Sequence, residues 1–115
     1  MSPLLPNYLR TLRMRWGLTQ PELAGLLGIT ESALSKFETQ ALEPTKNLIL
    51  GIEVVFGKAA RDAFPALYAQ IERDIIKRAA AFSKRLDSEK GDSADIKRRL
   101  LTGMIDRSIT DNQHL

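Results

Sequence analysis

The sequence predicts an all-α protein, and three observations carry that prediction. Apolar residues recur at helical spacing along almost the whole chain. No segment keeps the strict alternation of a half-buried strand. The glycines fall singly where apolar stripes end, and helix-start signals stand where the stripes begin.

The elements follow in order. Leu5, Leu9 and Leu12 form one stripe, and Gly17 is placed to close that helix in the left-handed conformation. Thr19-Gln20-Pro21-Glu22 matches a capping box, with threonine at the N-cap and glutamate three residues on. Leu23, Ala24 and Leu27 form the inner face of this second helix, and Gly28 ends it. Ile29 fills the turn, and Thr30 caps a third helix with Ala33, Leu34 and Phe37 inward. Pro44-Thr45 opens a fourth, with Leu48, Ile49, Ile52, Val55 and Phe56 inward and Gly57 closing it.

Beyond Lys58 a short helix is expected over 59–64, and Pro65 starts a long one, PALYAQIERDIIKRAAAFSKRLDSE. Its stripe is Leu67, Ile71, Ile75, Ala79, Phe82 and Leu86. EKGDS is a linker, and Asp92 or Ser93 caps a last helix. Ile96, Leu100 and Met104 share one line there, with Leu101 and Ile105 beside it. The tail TDNQHL is expected to fray. The organisation is thus a helical head, residues 1–57, and a C-terminal helical extension, residues 58–115, folded as a hairpin.

Composition narrows the function. The chain has 115 residues, no cysteine and one histidine, His114 in the tail. Thiolate metal ligands and disulfides are excluded, and no Ser-His pair or metal cluster is in view. No glycine-rich loop is present to cradle a phosphate. The expectation is therefore no enzyme, no metal and no cofactor. No apolar run approaches a membrane span, and MSPLLPNYLR is too short and proline-broken for a signal peptide. A cytoplasmic protein is expected.

Charge is unevenly spread. The net charge is +3, yet up to Gly57 five basic residues face five acidic ones. The excess lies beyond, where twelve basic residues meet nine acidic ones. Lys77-Arg78, Lys84-Arg85 and Lys97-Arg98-Arg99 either reach a DNA backbone or form a solvated face interleaved with Glu72, Asp74, Asp87 and Glu89.

Helix two, a tight turn at Gly28-Ile29 and helix three make a helix-turn-helix, which offers its second helix as a rod for the major groove. The run from about Tyr8 to Gly57 resembles the Cro/CI-type (XRE-family) helix-turn-helix regulators. The residues that carry the resemblance are LRTLRMRWGLTQPELAGLLGITESALSKFE, then EP and LILGIEVVFG. Gln20, Ala24, Gly28, Ser35 and Glu38 fall at the family's marked positions. The resemblance implies a Cro/CI-like (lambda-repressor-like) helical bundle that binds double-stranded DNA, as a homodimer and most often as a repressor.

It also implies roles. Glu38 would pair with Arg13 as a structural ion pair. Glu31, Ser32, Ser35 and Lys36 would face base edges, where lysine donates to guanine and a carboxylate accepts from cytosine N4. For Glu31 the other reading is a solvated acid favoured by the helix dipole. Arg10, Gln20, Thr39, Lys46 and Asn47 would hold phosphates. One departure stands out: the family usually has glycine just after the recognition helix, and here Gln40 occupies that place. Either the loop differs or a left-handed glutamine is tolerated at roughly 1 kcal/mol. Small proteins of this family also serve as antitoxins, so the C-terminal half has two candidate uses, dimerisation or the binding of a protein partner.

Overall fold

The computed structural model describes residues 7–112, which form seven helices and no strand. They are α1 Leu9–Arg15, α2 Gln20–Leu27, α3 Glu31–Glu38, α4 Lys46–Phe56, α5 Ala60–Ala63, α6 Pro65–Leu86 and α7 Asp92–Asn112. Leu5 and His114 lie outside the described residues. The chain divides into two compact units within α6, between Ala69 and Gln70.

In the first unit, Leu9, Leu12, Phe37, Leu48, Ile52, Ala63 and Phe64 form one buried cluster, and Leu23, Ala24 and Leu34 a second. Leu27, Ile29 and Phe56 pack against both and join them. Ile29 therefore fills the turn of the helix-turn-helix. Ala63 and Phe64 come from beyond Gly57, so α5 and the start of α6 complete the core of the head. The Tyr8 N–H donates to the Ala63 carbonyl at 2.9 Å, tying α5 to the foot of α1. Asn7 Nδ2 donates to the Phe37 carbonyl at 3.1 Å and ties the same foot to α3. Gly51 lets α4 approach α2: a Cβ there would lie 2.9 Å from Leu27 Cδ2.

The helix ends follow their sequence signals. Thr19 Oγ1 accepts from the Glu22 N–H, and Glu22 Oε1 accepts from the Thr19 N–H at 2.8 Å. That backbone hydrogen bond holds the Glu22 carboxyl below its ordinary range. Thr30 and Thr45 accept from the Ala33 and Leu48 N–H groups at 3.0 and 3.1 Å. Gly28 is left-handed, with φ 70°. Gln40 is also left-handed, with φ 63°, the one non-glycine described residue to be so. The loop keeps the left-handed geometry and tolerates a side chain there. Gln40 Nε2 donates to the Glu38 carbonyl at 3.0 Å, which offsets part of the strain. The Leu42 N–H donates to the Lys36 carbonyl at 3.1 Å and folds the loop back onto α3.

The second unit is a hairpin of α6 and α7 packed on Ala79, Leu86, Ala94 and Leu101. Phe82 and Met104 flank that seam, half-buried. Two expectations are corrected here. α6 ends at Leu86 rather than near Glu89, because residues 87–91 make the turn. On α7, Ile96 and Leu100 are 58% and 62% exposed. The inner face is Ala94, Arg98 and Leu101. Arg98 lies between the two buried residues and donates to the Leu86 carbonyl at 2.6 Å and to the Glu89 carbonyl. Its Nη1 also bonds Asp95 at 2.8 Å. Arg98 shares the face of α7 on which Ala94 and Leu101 are buried, and Ile96 and Leu100 lie away from that face. The helix also continues to Asn112, past the expected start of the frayed tail.

Candidate nucleic-acid interface

Three elements meet at the foot of the head: the C-terminal half of α1, the N-terminus of α2, and α3. An open cleft of about 760 Å³ lies between them. Arg10, Gln20, Glu31 and Thr39 line it, together with the pair Arg13 and Glu38.

Arg13 and Glu38 form the floor. Arg13 Nε donates to Glu38 Oε2 at 2.7 Å, and Arg13 Nη2 to Oε1 at 3.1 Å. Only 12% of the arginine side chain and 2% of the glutamate side chain are exposed. The side-chain hydrogen bond to Glu38 pushes the Arg13 pKa up from its already high value. Arg13 Nη1 donates to the Leu18 carbonyl at 2.9 Å, fixing the turn between α1 and α2. Glu38 is thus folded inward, neutralised and saturated. One of the three acids between Leu18 and Gln40 never meets a ligand. Glu22 is occupied by its capping box.

Gln20 sits at the first position of α2, and its Nε2 donates to Glu38 Oε1 at 3.1 Å. The side chain therefore braces the ion pair. Its backbone N–H heads the helix and points outward with the positive end of the dipole. Sequence reasoning placed Gln20 at the interface and missed the brace, because contact between α2 and the end of α3 is a tertiary feature.

The exposed edge of α3 carries Glu31, Ser32 and Lys36. Ser32 and Lys36 are one turn apart, and Glu31 is in the first turn. Ser35 is half-buried. Thr39 caps the end of α3, and its Oγ1 donates to the Ser35 carbonyl at 3.0 Å, so its proton is already engaged. Lys46 and Asn47 open α4 with exposed side chains. Thr45 caps the Leu48 N–H, which leaves the Lys46 and Asn47 N–H groups turned to solvent. Arg10 is exposed on α1.

The arrangement can bind an extended anion. Two helix N-termini and the side chains of Arg10, Lys36 and Lys46 supply donors, and the acids near them include Glu31 and Glu22, the latter held in its capping box. Among the described residues no cluster of His, Asp or Glu could hold a metal ion, and no helix is long and apolar enough to cross a membrane.

Residues 5–52 match the family model described as a helix-turn-helix domain. The chain therefore carries a helix-turn-helix domain, in keeping with the resemblance to XRE-family DNA-binding domains and with the all-α fold. No curated protein and no solved structure matches the chain significantly.

Proposed function

We propose that this helix-turn-helix chain is a sequence-specific, double-stranded-DNA-binding transcriptional regulator, acting in the cytoplasm as a dimeric repressor rather than as an enzyme. The observation that carries the reading is the solvent-facing edge of α3. Ser32 and Lys36 stand free there while Glu38 is drawn into the core by Arg13. α3 lies in the major groove, with Lys36 on guanine and Ser32 and Ser35 beside it. Gln20, Lys46 and Asn47 hold phosphates through side chains or backbone N–H groups, with Arg10 on the flank. Thr39 joins them only by giving up its bond to Ser35. Glu31 lowers affinity for generic DNA and selects cytosine.

Up to Gly57 the head carries no net charge, and residues 58–69 add only one positive charge, so little of its affinity comes from released counterions. Two copies on adjacent half-sites compensate. Leu50 and Val54, 59% and 86% exposed on the outer face of α4, support the dimer. They follow Asn47 by three and seven residues and offer apolar surface beside the phosphate contacts. Occupancy of an operator would then block transcription.

Selection from a random duplex library at moderate salt tests the reading. Enrichment of a palindrome with half-site centres about 10–11 bp apart is expected. Recovery of no preferred sequence would contradict it.

A second reading, an antitoxin-like protein whose C-terminal half binds a protein partner, is supported by the apolar residues that the hairpin leaves exposed.

A further inference from the structure

The hairpin buries one face and leaves a second apolar face open. Phe82 on α6 and Met104 on α7 edge the buried seam. Ile75 and Ile71 precede Phe82 by seven and eleven residues, on the same stripe of α6, and are 42% and 49% exposed. Leu100 and Ile96 precede Met104 by four and eight, on one stripe of α7, and are 62% and 58% exposed. The helices run antiparallel across a five-residue turn, from Leu86 to Asp92. In such a pair the like flanks of both helices fall on one side. Ile71, Ile75, Phe82, Met104 and Leu100 therefore line one side of the hairpin, with Ile96 farther round α7, and offer apolar surface for one more helix.

The charges along the strip are mainly positive. Arg78 and Arg85 lie on the stripe of Ile71, Ile75 and Phe82, at spacings of four and three. Arg85 stands over the Phe82 ring, 5.0 Å from its centre. Lys97 and Arg107 fall on the stripe of Met104, seven residues before it and three after. All four cations are exposed. Asp74, one turn before Arg78, is the only acid among the described residues on this flank of α6. A second copy of the same face would set cations against cations, at a cost where like charges meet across an interface. The mixed signs around Leu50 and Val54, with Lys46 and Glu53 nearby, carry no such penalty.

We propose that the open face of the α6–α7 hairpin is a docking site for an amphipathic helix with an acidic rim, supplied by another protein. The apolar side of that helix covers Ile71, Ile75, Met104 and Leu100, and its carboxylates meet Arg78, Arg85, Lys97 and Arg107. The proposal deepens the partner-binding reading by naming the partner's chemistry, and it does not depend on DNA recognition.

The test uses the full chain and a fluorescent synthetic peptide of about three heptads, leucine at the apolar positions and glutamate beside them. A peptide of the same apolar pattern with lysine in place of glutamate serves as the counterpart. Saturable binding of the acidic peptide is expected, weakened by added salt. Ile75→Glu and Leu100→Glu should each weaken it by about tenfold or more. R78E/K97E should reverse the preference between the two peptides. These positions are exposed, so circular dichroism and binding to duplex DNA should be unchanged.

Equal binding of both peptides would overturn the charge assignment and leave a protein partner in place. Preference for anionic phospholipid vesicles over the acidic peptide would overturn the partner reading itself. A dimer in sedimentation that Leu100→Glu dissociates would give the face to a second copy and overturn the proposal. Binding of neither peptide would overturn it too.

Discussion

Arg13 of α1 grips Glu38, the last residue of α3, through hydrogen bonds of 2.7 and 3.1 Å, with Gln20 of α2 donating to the same carboxylate at 3.1 Å. Three helices of the head are thus pinned at one buried point, on the floor of the open cleft between them. The pair sets the angle at which α3 leaves the surface. It also withdraws the Glu38 carboxylate from the exposed edge of α3.

Breaking the pair from one side leaves the other charge buried without a partner. Glu38→Gln and Arg13→Met are each expected to destabilise the head by about 3 kcal/mol. The double variant should lose much less than the sum. Urea unfolding of the four proteins measures the coupling, and additive losses would show that the pair is not a unit.

Gln40 holds φ 63°, a conformation that costs a side chain about 1 kcal/mol. Gln40→Gly removes the strain and should raise stability by up to that amount, less the lost bond to the Glu38 carbonyl. Gln40→Ala keeps the strain and loses the bond, so it should destabilise. Thermal melts of the two variants should move in opposite directions.

Phe64 is 1% exposed and packs with Leu9, Leu12 and Ile52. Phe64→Ala should cost about 3–5 kcal/mol. It should abolish DNA binding near the melting temperature although the residue is remote from α3. Unchanged stability would mean that α5 is not part of the head.

Arg98 closes α6 by donating to the Leu86 and Glu89 carbonyls, so it is a structural residue of the hairpin. Arg98→Met should lower hairpin stability by about 1.5–3 kcal/mol, while Arg99→Met, at an exposed position, should change little. Neither should alter the salt dependence of DNA binding. A shallower salt slope for Arg98→Met would place that residue on a phosphate instead.

Much of the head was legible in the sequence because its signals are local. Thr19 with Glu22, the cap Thr30, and the glycines at positions 17, 28 and 57 each mark a helix end by backbone chemistry alone. The stripes of Leu9 and Leu12, and of Leu34 and Phe37, gave the core. What was not legible depends on contacts between distant residues. Phe64 completes the head although the composition shifts at Gly57. Gln20 turns to Glu38, eighteen residues away. Arg98 was read with its basic neighbours as part of a charged run, but the open carbonyls at the end of α6 claim it. Ala94 and Leu101 take the buried face of α7 beside Arg98, so Ile96 and Leu100, apolar and helically spaced, are left exposed. Periodicity gives the stripe of a helix and not which of two adjacent stripes a partner helix covers.

The central claim is that the free edge of α3 reads bases, and the most direct measurement is a second selection with Lys36→Ala beside the native chain. The native chain should enrich a defined half-site. The variant should lose preference at one guanine per half-site, with discrimination reduced by about 1–3 kcal/mol, and keep the other positions. An identical motif from both proteins would show that Lys36 does not touch a base, and enrichment from neither would remove α3 from the major groove.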